Sequence, residues 1–378
     1  MGNNTNLIAL AIPFFFALIA LELAVARAQG RSVYRFNDSV ADLSCGIGQQ
    51  VVTAFVNATL LAIYAWLHQH AAPWQPGPAL EVALAFIGVD FFYYWWHRAS
   101  HEVNAMWAVH VVHHQSEEYN LAVALRQAWF SQFTSFPFYL PLALLGVRPL
   151  PFATALSLST LYQFWIHTRC IGKMGAFEWL FNTPSHHRVH HGRNPRYLDR
   201  NHGATLIVWD RLFGTFQEEE EQPIYGTVKP YTSWNPLWAN FDYFAELAAQ
   251  ARALVRPADR LRVWLGFPGW RPGVDQARII EEAGPLAELE RPVRFDPPYS
   301  RGRYVYVLAN LTLAVLVTTA YLFVDLPTGQ RVAAAALILW SLGTLGGILE
   351  GRGWAAPLEA ARLAVVAGGL ALHALGIV

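Results

Sequence analysis

Apolar positions along this chain gather in long stretches, with polar and charged residues confined mainly to the segments between them. Leu7–Ala26, Val51–Leu67 and Ala79–Trp96 are the first three stretches, and only Pro13 and Glu22 interrupt the first. Phe130–Leu145 and Pro151–Ile166 are shorter, fitting either a re-entrant pair or two tilted spans. Val305–Val324, Val332–Leu349 and Leu358–Val378 close the series. A bilayer core about 30 Å thick needs roughly 20 apolar helical residues. Six to eight such stretches therefore predict an all-α, polytopic membrane helical bundle. The first stretch lacks a small-residue cleavage site before a polar region, so it reads as a retained span.

Basic residues predict the orientation. Arg27, Arg31 and Arg35 follow the first span, whereas the segment from His68 to Pro78 has neither Lys nor Arg. Cytoplasmic loops carry the excess of Lys and Arg, which puts the end of the third span, near His97, on the cytoplasmic side. Thr168–Gly302 contains 17 of the 27 Lys and Arg residues and no long apolar run. The expected organisation is thus an N-terminal membrane region (1–167), a cytoplasmic cap (168–302) and a C-terminal membrane region (303–378). Within the cap, Trp234–Val255 has apolar residues at helical spacing, suited either to the membrane interface or to packing on the cap.

Composition narrows the function classes. Of 378 residues, 54% are hydrophobic and 14% aromatic, which excludes a disordered chain. Lys+Arg and Asp+Glu balance at 27 each, so no basic excess points to nucleic acid. Cys45 and Cys170 are too few for a disulfide framework or a cysteine-based zinc module.

The histidines carry the chemistry. Eleven of the 14 fall between His97 and His202. WHRASHE supplies His97 and His101, HVVHH supplies His110, His113 and His114, and SHHRVHH supplies His186, His187, His190 and His191. Residues three and four apart share a helix face, so each H-x2-H-H run brings its imidazoles together. A core would not be built this way, because every buried imidazole needs a hydrogen-bond partner. The spacing therefore predicts a multi-histidine metal site. His167, ending the apolar run LYQFWIH, is a further candidate ligand. His186 joins the candidates although the minimal pattern is complete without it, and His202 fits a ligand or a structural role. His68, His70 and His373 lie away from the cluster.

One tetrahedral zinc takes four ligands, so eight or nine imidazoles point to two metals that each keep an open position. Imidazole suits iron, zinc, copper and nickel alike. The setting, at the ends of apolar spans, suits chemistry on an acyl or alkyl chain. Attack on an unactivated C–H bond requires oxygen activated by a redox metal, which favours iron. The chain has no haem-binding cytochrome domain, flavin fingerprint or ferredoxin cysteine pattern, so an external reductant or redox partner is expected.

The boxes HRASH, HVVHH and HRVHH resemble those of the fatty acid hydroxylase superfamily, also called the sterol desaturase family, of membrane di-iron enzymes. YRFNDSVADLSCG, HHQSEEYNLAVALRQ, QFWIHT, NTPSHHRVHHGRNPRYLDRNHGATLIVWDRLFGTF and PGWRPG extend the resemblance to the alkylglycerol monooxygenase family, over about Tyr34 to Gly273. That resemblance implies a reaction: oxygen and tetrahydrobiopterin hydroxylate the ether-linked carbon of a glyceryl ether, and the hemiacetal collapses to an aldehyde. It also implies two iron ions held by His97, His101, His110, His113, His114, His167, His187, His190 and His191. Glu102 matches an acidic residue of that family, expected to orient a ligand or serve the cofactor site. The alternatives are a hydroxylase or desaturase of a sterol, hopanoid, fatty acyl lipid or carotenoid, and, in another class, a metal transporter or haem protein.

Overall fold

The computed structural model describes residues 7–282 and 295–375. Among the described residues every regular element is a helix, and one isolated antiparallel bridge joins Phe181 to Leu206. Six helices are long and apolar enough to cross a membrane. They are α1 (Leu7–Ala28), α2 (Phe36–Ala71) and α3 (Pro78–Glu102), and, after the cap, α13 (Arg301–Phe323), α14 (Thr328–Leu349) and α15 (Ala355–Ala374). The chain is therefore a multi-pass membrane protein; residues 376–378 of the last expected span lie outside the described residues.

α2 begins 15 residues ahead of the apolar stretch that predicted it. Its 36 residues make a helix about 54 Å long, well beyond the bilayer core. The extension is not solvated. Asn37, Asp38, Asp42, Ser44 and Cys45 are all buried there, so this polar stretch is an interior surface. Val40, Ala41, Ile47 and Val51 of α2 pack against α13 and α14 through Val307, Leu311, Leu342 and Leu345. Gly48 allows this part of α2 to approach Trp129, whose ring lies 2.4 Å from where a Cβ would stand.

Phe130–Leu145 and Pro151–Ile166 become a hairpin, α5 (Ser131–Leu144) and α6 (Pro149–Trp165). Gly146 makes the turn at φ 81°, a conformation that glycine adopts without strain. The hairpin runs the length of α3. At its tip Arg148 donates to Glu81 in the first turn of α3 (Nε–Oε1 2.8 Å), and Tyr64 of α2 donates to the Val147 carbonyl (3.0 Å). Its other end stands beside the histidine-rich end of α3.

That end carries the shorter helices. α4 (Asn104–His114) follows α3 after one residue; α7 (Pro184–His190) and α8 (Val208–Phe213) lie beyond the hairpin. α9 (Pro236–Ala239), α10 (Asp242–Ala253), α11 (Pro257–Leu265) and α12 (Gln276–Glu282) complete the cap. α10 packs Leu247 and Ala251 against Ala108 of α4 and Val263 of α11, so its apolar stripe covers the helix bearing the second histidine box.

Candidate metal centre

Nine imidazoles meet where α3, α4, α6 and α7 converge, and none is more than 7% exposed. They form two groups. His97, His101, His110, His114 and His190 make the first; His113, His167, His187 and His191 make the second. In each group one nitrogen per ring lies within 4.8 Å of the others.

The division follows from helix geometry. Residues four apart stack on one face, and the middle histidine of an H-x2-H-H run stands off to one side. The first box gives its i,i+4 pair, His97 and His101, to the first group. The second box gives His110 and His114 to the first group and His113 to the second. The third box reverses this, giving His187 and His191 to the second group and His190 to the first. His167, just past the C-terminus of α6, completes the second group.

Contacts between nitrogens show what the groups can hold. His97 Nε2 and His114 Nε2 face His110 Nε2 at 3.0 and 3.2 Å. His113 Nε2 and His187 Nε2 face His167 Nε2 at 3.2 and 3.0 Å. A ring nitrogen has one in-plane proton or one lone pair, so His110 and His167 cannot each direct a hydrogen bond at two neighbours. A shared cation resolves the conflict. Each group thus gathers four or five nitrogens around one point, as the ligands of a single ion are gathered. His101 Nε2, His190 Nε2 and His191 Nε2 are buried without a hydrogen-bond partner, so each has a lone pair that a metal ion could take.

The opposite ring nitrogens are tied down. His97 Nδ1 donates to the His202 carbonyl (2.8 Å), His190 Nδ1 to Arg200 (2.9 Å), His113 Nδ1 to Arg126 (2.9 Å) and His167 Nδ1 to Gln163 (2.7 Å). Such contacts fix the tautomer that presents Nε2 as a lone pair. Burial pushes the His113 imidazole down to about 4 and His190 to about 3, so both are neutral and available for coordination at pH 7.

Two supports were hidden from a reading of spacing. Asp199 and Asn201 both take φ 56°, uncommon outside glycine although Asn and Asp tolerate it best. The alternation turns the carbonyls of Arg200 and His202 toward the histidines. Asp210 clamps the loop by accepting from the His202 and Gly203 amides, both at 2.7 Å. Asp199 Oδ1 also lies 3.6 Å from His101 Nδ1, and burial beside Glu102 pushes its carboxyl up to about 6. The second support is Arg126, wholly buried, which donates to Asp42 Oδ1 (3.2 Å), Gln115 Oε1 (2.8 Å) and the Val112 carbonyl (2.6 Å). It thereby fixes the carbonyl that receives His113. Only the two positive-φ letters, D-x-N in RYLDRNHG, offered a signal beforehand.

Two expected site residues stand apart. His186 is in neither group: it falls about 90° from the middle of the arc holding His187, His190 and His191, and its ring meets Phe216 at 5.3 Å. Glu102 follows the first box on a half-exposed turn, where it accepts from Arg98 Nε at 2.8 Å; it joins neither group. His202 is buried with its ring 5.1 Å from His101, and it acts through its carbonyl.

Residues 82–215, which contain all eleven clustered histidines, match the fatty acid hydroxylase family. The chain is 37% identical to an alkylglycerol monooxygenase of Danio rerio, with 97% of this chain aligned to 82% of that protein. The chain belongs to the fatty acid hydroxylase family. The alkylglycerol monooxygenase of Homo sapiens is 36% identical over 93% of this chain and 80% of its own length. A more distant fatty acid hydroxylase relative, the ornithine lipid hydroxylase OlsE of Rhizobium tropici, is 28% identical over half of this chain. No solved structure matches. Membership makes the chain an oxygen-dependent oxidoreductase, a membrane lipid hydroxylase whose histidine groups are suited to iron.

Proposed function

We propose that each histidine group holds one iron ion and that the pair hydroxylates the ether-linked carbon of an alkylglycerol. The observation that carries the reading is the partition of nine buried imidazoles into two groups, each with one nitrogen per ring within 4.8 Å of the others. His97, His101, His110, His114 and His190 would hold one iron; His113, His167, His187 and His191 would hold the other. Bound iron supplies oxygen activation, by which one oxygen atom enters a C–H bond and the other leaves as water with two electrons and two protons from a reductant. Tetrahydrobiopterin is the reductant proposed, as the resemblance of the histidine boxes and their flanking motifs implies.

The protein's part is geometric. Backbone carbonyls hold the imidazole tautomers, the buried setting excludes water, and the apolar helices keep the alkyl chain out of solvent. The hydroxylated carbon carries both a hydroxyl and the ether oxygen, so its C–O bond breaks to an aldehyde and a free glycerol hydroxyl. We place Glu102 at the reductant's approach, on the rim beside Asp199 and not among the iron ligands. We place the histidine end on the cytoplasmic side, supported by Arg27 in the last turn of α1 and Arg31 and Arg35 just after it.

The test is incubation of the purified chain with oxygen, tetrahydrobiopterin and an alkylglycerol labelled at the ether-linked carbon. Labelled aldehyde is the expected product. A labelled alcohol retained on an intact ether, or product from a sterol or acyl lipid alone, overturns the substrate assignment.

A further inference from the structure

Asp90 sits in the apolar face of α3, two helical turns before His97 and so about 10 Å from it along the helix axis. One turn earlier α3 exposes Phe86 and Ile87, the pattern of a lipid-facing surface. Ionisable residues at such depth are rare and are satisfied by partners. The partners of Asp90 come from the cap. Its carboxylate accepts from the Thr205 amide (2.8 Å), the Leu206 amide (3.2 Å) and the Trp209 indole (2.8 Å). Phe91 adds an edge contact to Trp209 at 5.1 Å, and Trp95 and Tyr94 meet Phe213 at 4.9 and 5.4 Å. The segment 205–213 therefore lies beside α3 well below the histidines.

The strip 177–181 is tied to it. The Asn182 amide donates to Thr205 (2.8 Å) and the Ile207 amide to Leu180 (3.0 Å), around the bridge between Phe181 and Leu206. Asn182 Nδ2 donates to Gly203 (2.6 Å), and Tyr162 of α6 donates to the Asn182 carbonyl (2.7 Å). Irregular backbone survives at membrane depth only when its polar groups are satisfied within the protein, and these contacts do that. Most of the outward side chains are apolar: Trp179 is 76% exposed and Leu212 69%, with Phe177 and Leu180 also exposed; the exposed Arg211 donates to the Glu178 carbonyl (3.2 Å) and lies over the Phe216 ring. The short helix Gly175–Trp179 buries no residue at all. A water-facing surface would not concentrate such side chains.

We infer that residues 175–181 and 205–213 form a wedge of the cap inserted into the lipid, staked to α3 by Asp90, with Trp179 and Leu212 in contact with the bilayer. The occupant of this face is the lipid bilayer, because the wedge is continuous with the exposed flanks of α3 and α6. The wedge holds the third histidine box, which begins directly after it, below the level of the lipid headgroups. A lipid can then reach the histidines from the side. This inference stands on packing and exposure and is independent of which metal or lipid the site takes.

Nitroxide labels at position 179, 212 or 218, introduced singly with Cys170→Ser in the full chain reconstituted in phosphatidylcholine nanodiscs, test it by power-saturation EPR. Labels at 179 and 212 are expected to be relaxed severalfold more by oxygen, which partitions into lipid, than by an aqueous nickel chelate. The label at 218, on an exposed acidic loop, should show the reverse. Aqueous-dominated relaxation at both wedge positions overturns the proposal. So does shielding from both reagents, the sign of a protein partner. Should Trp179→Cys fail to fold, Leu212→Cys decides alone.

Discussion

The two histidine groups come from the same helices yet are held differently. The first has five imidazoles, two of them aligned by the loop 199–202 and a third facing Asp199. The second has four, with His113 aligned by the carbonyl of buried Arg126 and His167 by the last turn of α6. Were each group to hold a six-coordinate ion, five nitrogens would leave about one open position and four about two, which would make the second group the roomier place for oxygen to approach. Its alignment comes from a helix end and a buried arginine, whereas the loop 199–202 aligns the first.

Removing a ligand gives the largest effect. His113→Ala and His190→Ala are each expected to abolish turnover and to lower iron from about two to about one per chain, read by metal analysis. Loss of both irons in either variant would show that the groups bind as one unit. Arg126→Met comes next. It leaves the Asp42 carboxylate buried without its cation, a change that costs about 3–5 kcal/mol and should appear as a lower unfolding midpoint. The defect should reach the second group first, through the Arg126 carbonyl.

Asp199→Asn keeps the shape and the tolerance for positive φ but removes the charge facing His101. Its expected effect is a roughly 10- to 100-fold weaker hold on one iron, measured by chelator competition, with the other iron released as in the parent chain. Equal weakening of both would erase the distinction between a loop-held and a helix-held group. Glu102→Gln is the smallest: its exposed pair with Arg98 contributes about 0–1 kcal/mol. Iron content should be unchanged even if turnover with the reductant falls.

The histidine boxes could be read from spacing because ligand geometry is local: four residues is about one helical turn. His167 was legible as the polar end of LYQFWIH. What holds the ligands was not, because it is assembled across long separations. Arg126 meets Asp42 from 84 residues away and Asp90 meets Trp209 from 119 residues away. Glu22, which looked like an interruption of the first span, accepts from the Leu121 amide (2.8 Å), Thr168 and Tyr34, docking α1 to the loops behind the second group. The extension of α2 was masked by its polar composition, which burial against the second box explains. Including His186 came from counting every histidine of SHHRVHH; one residue of helical offset turns it away from the others.

The most direct measurement is the identity and number of metal ions on the purified full chain. About two irons per chain, with neither zinc nor copper in stoichiometric amount, is the result the proposed function predicts. A single ion per chain, or two zinc ions in a protein that still turns over substrate, would contradict it.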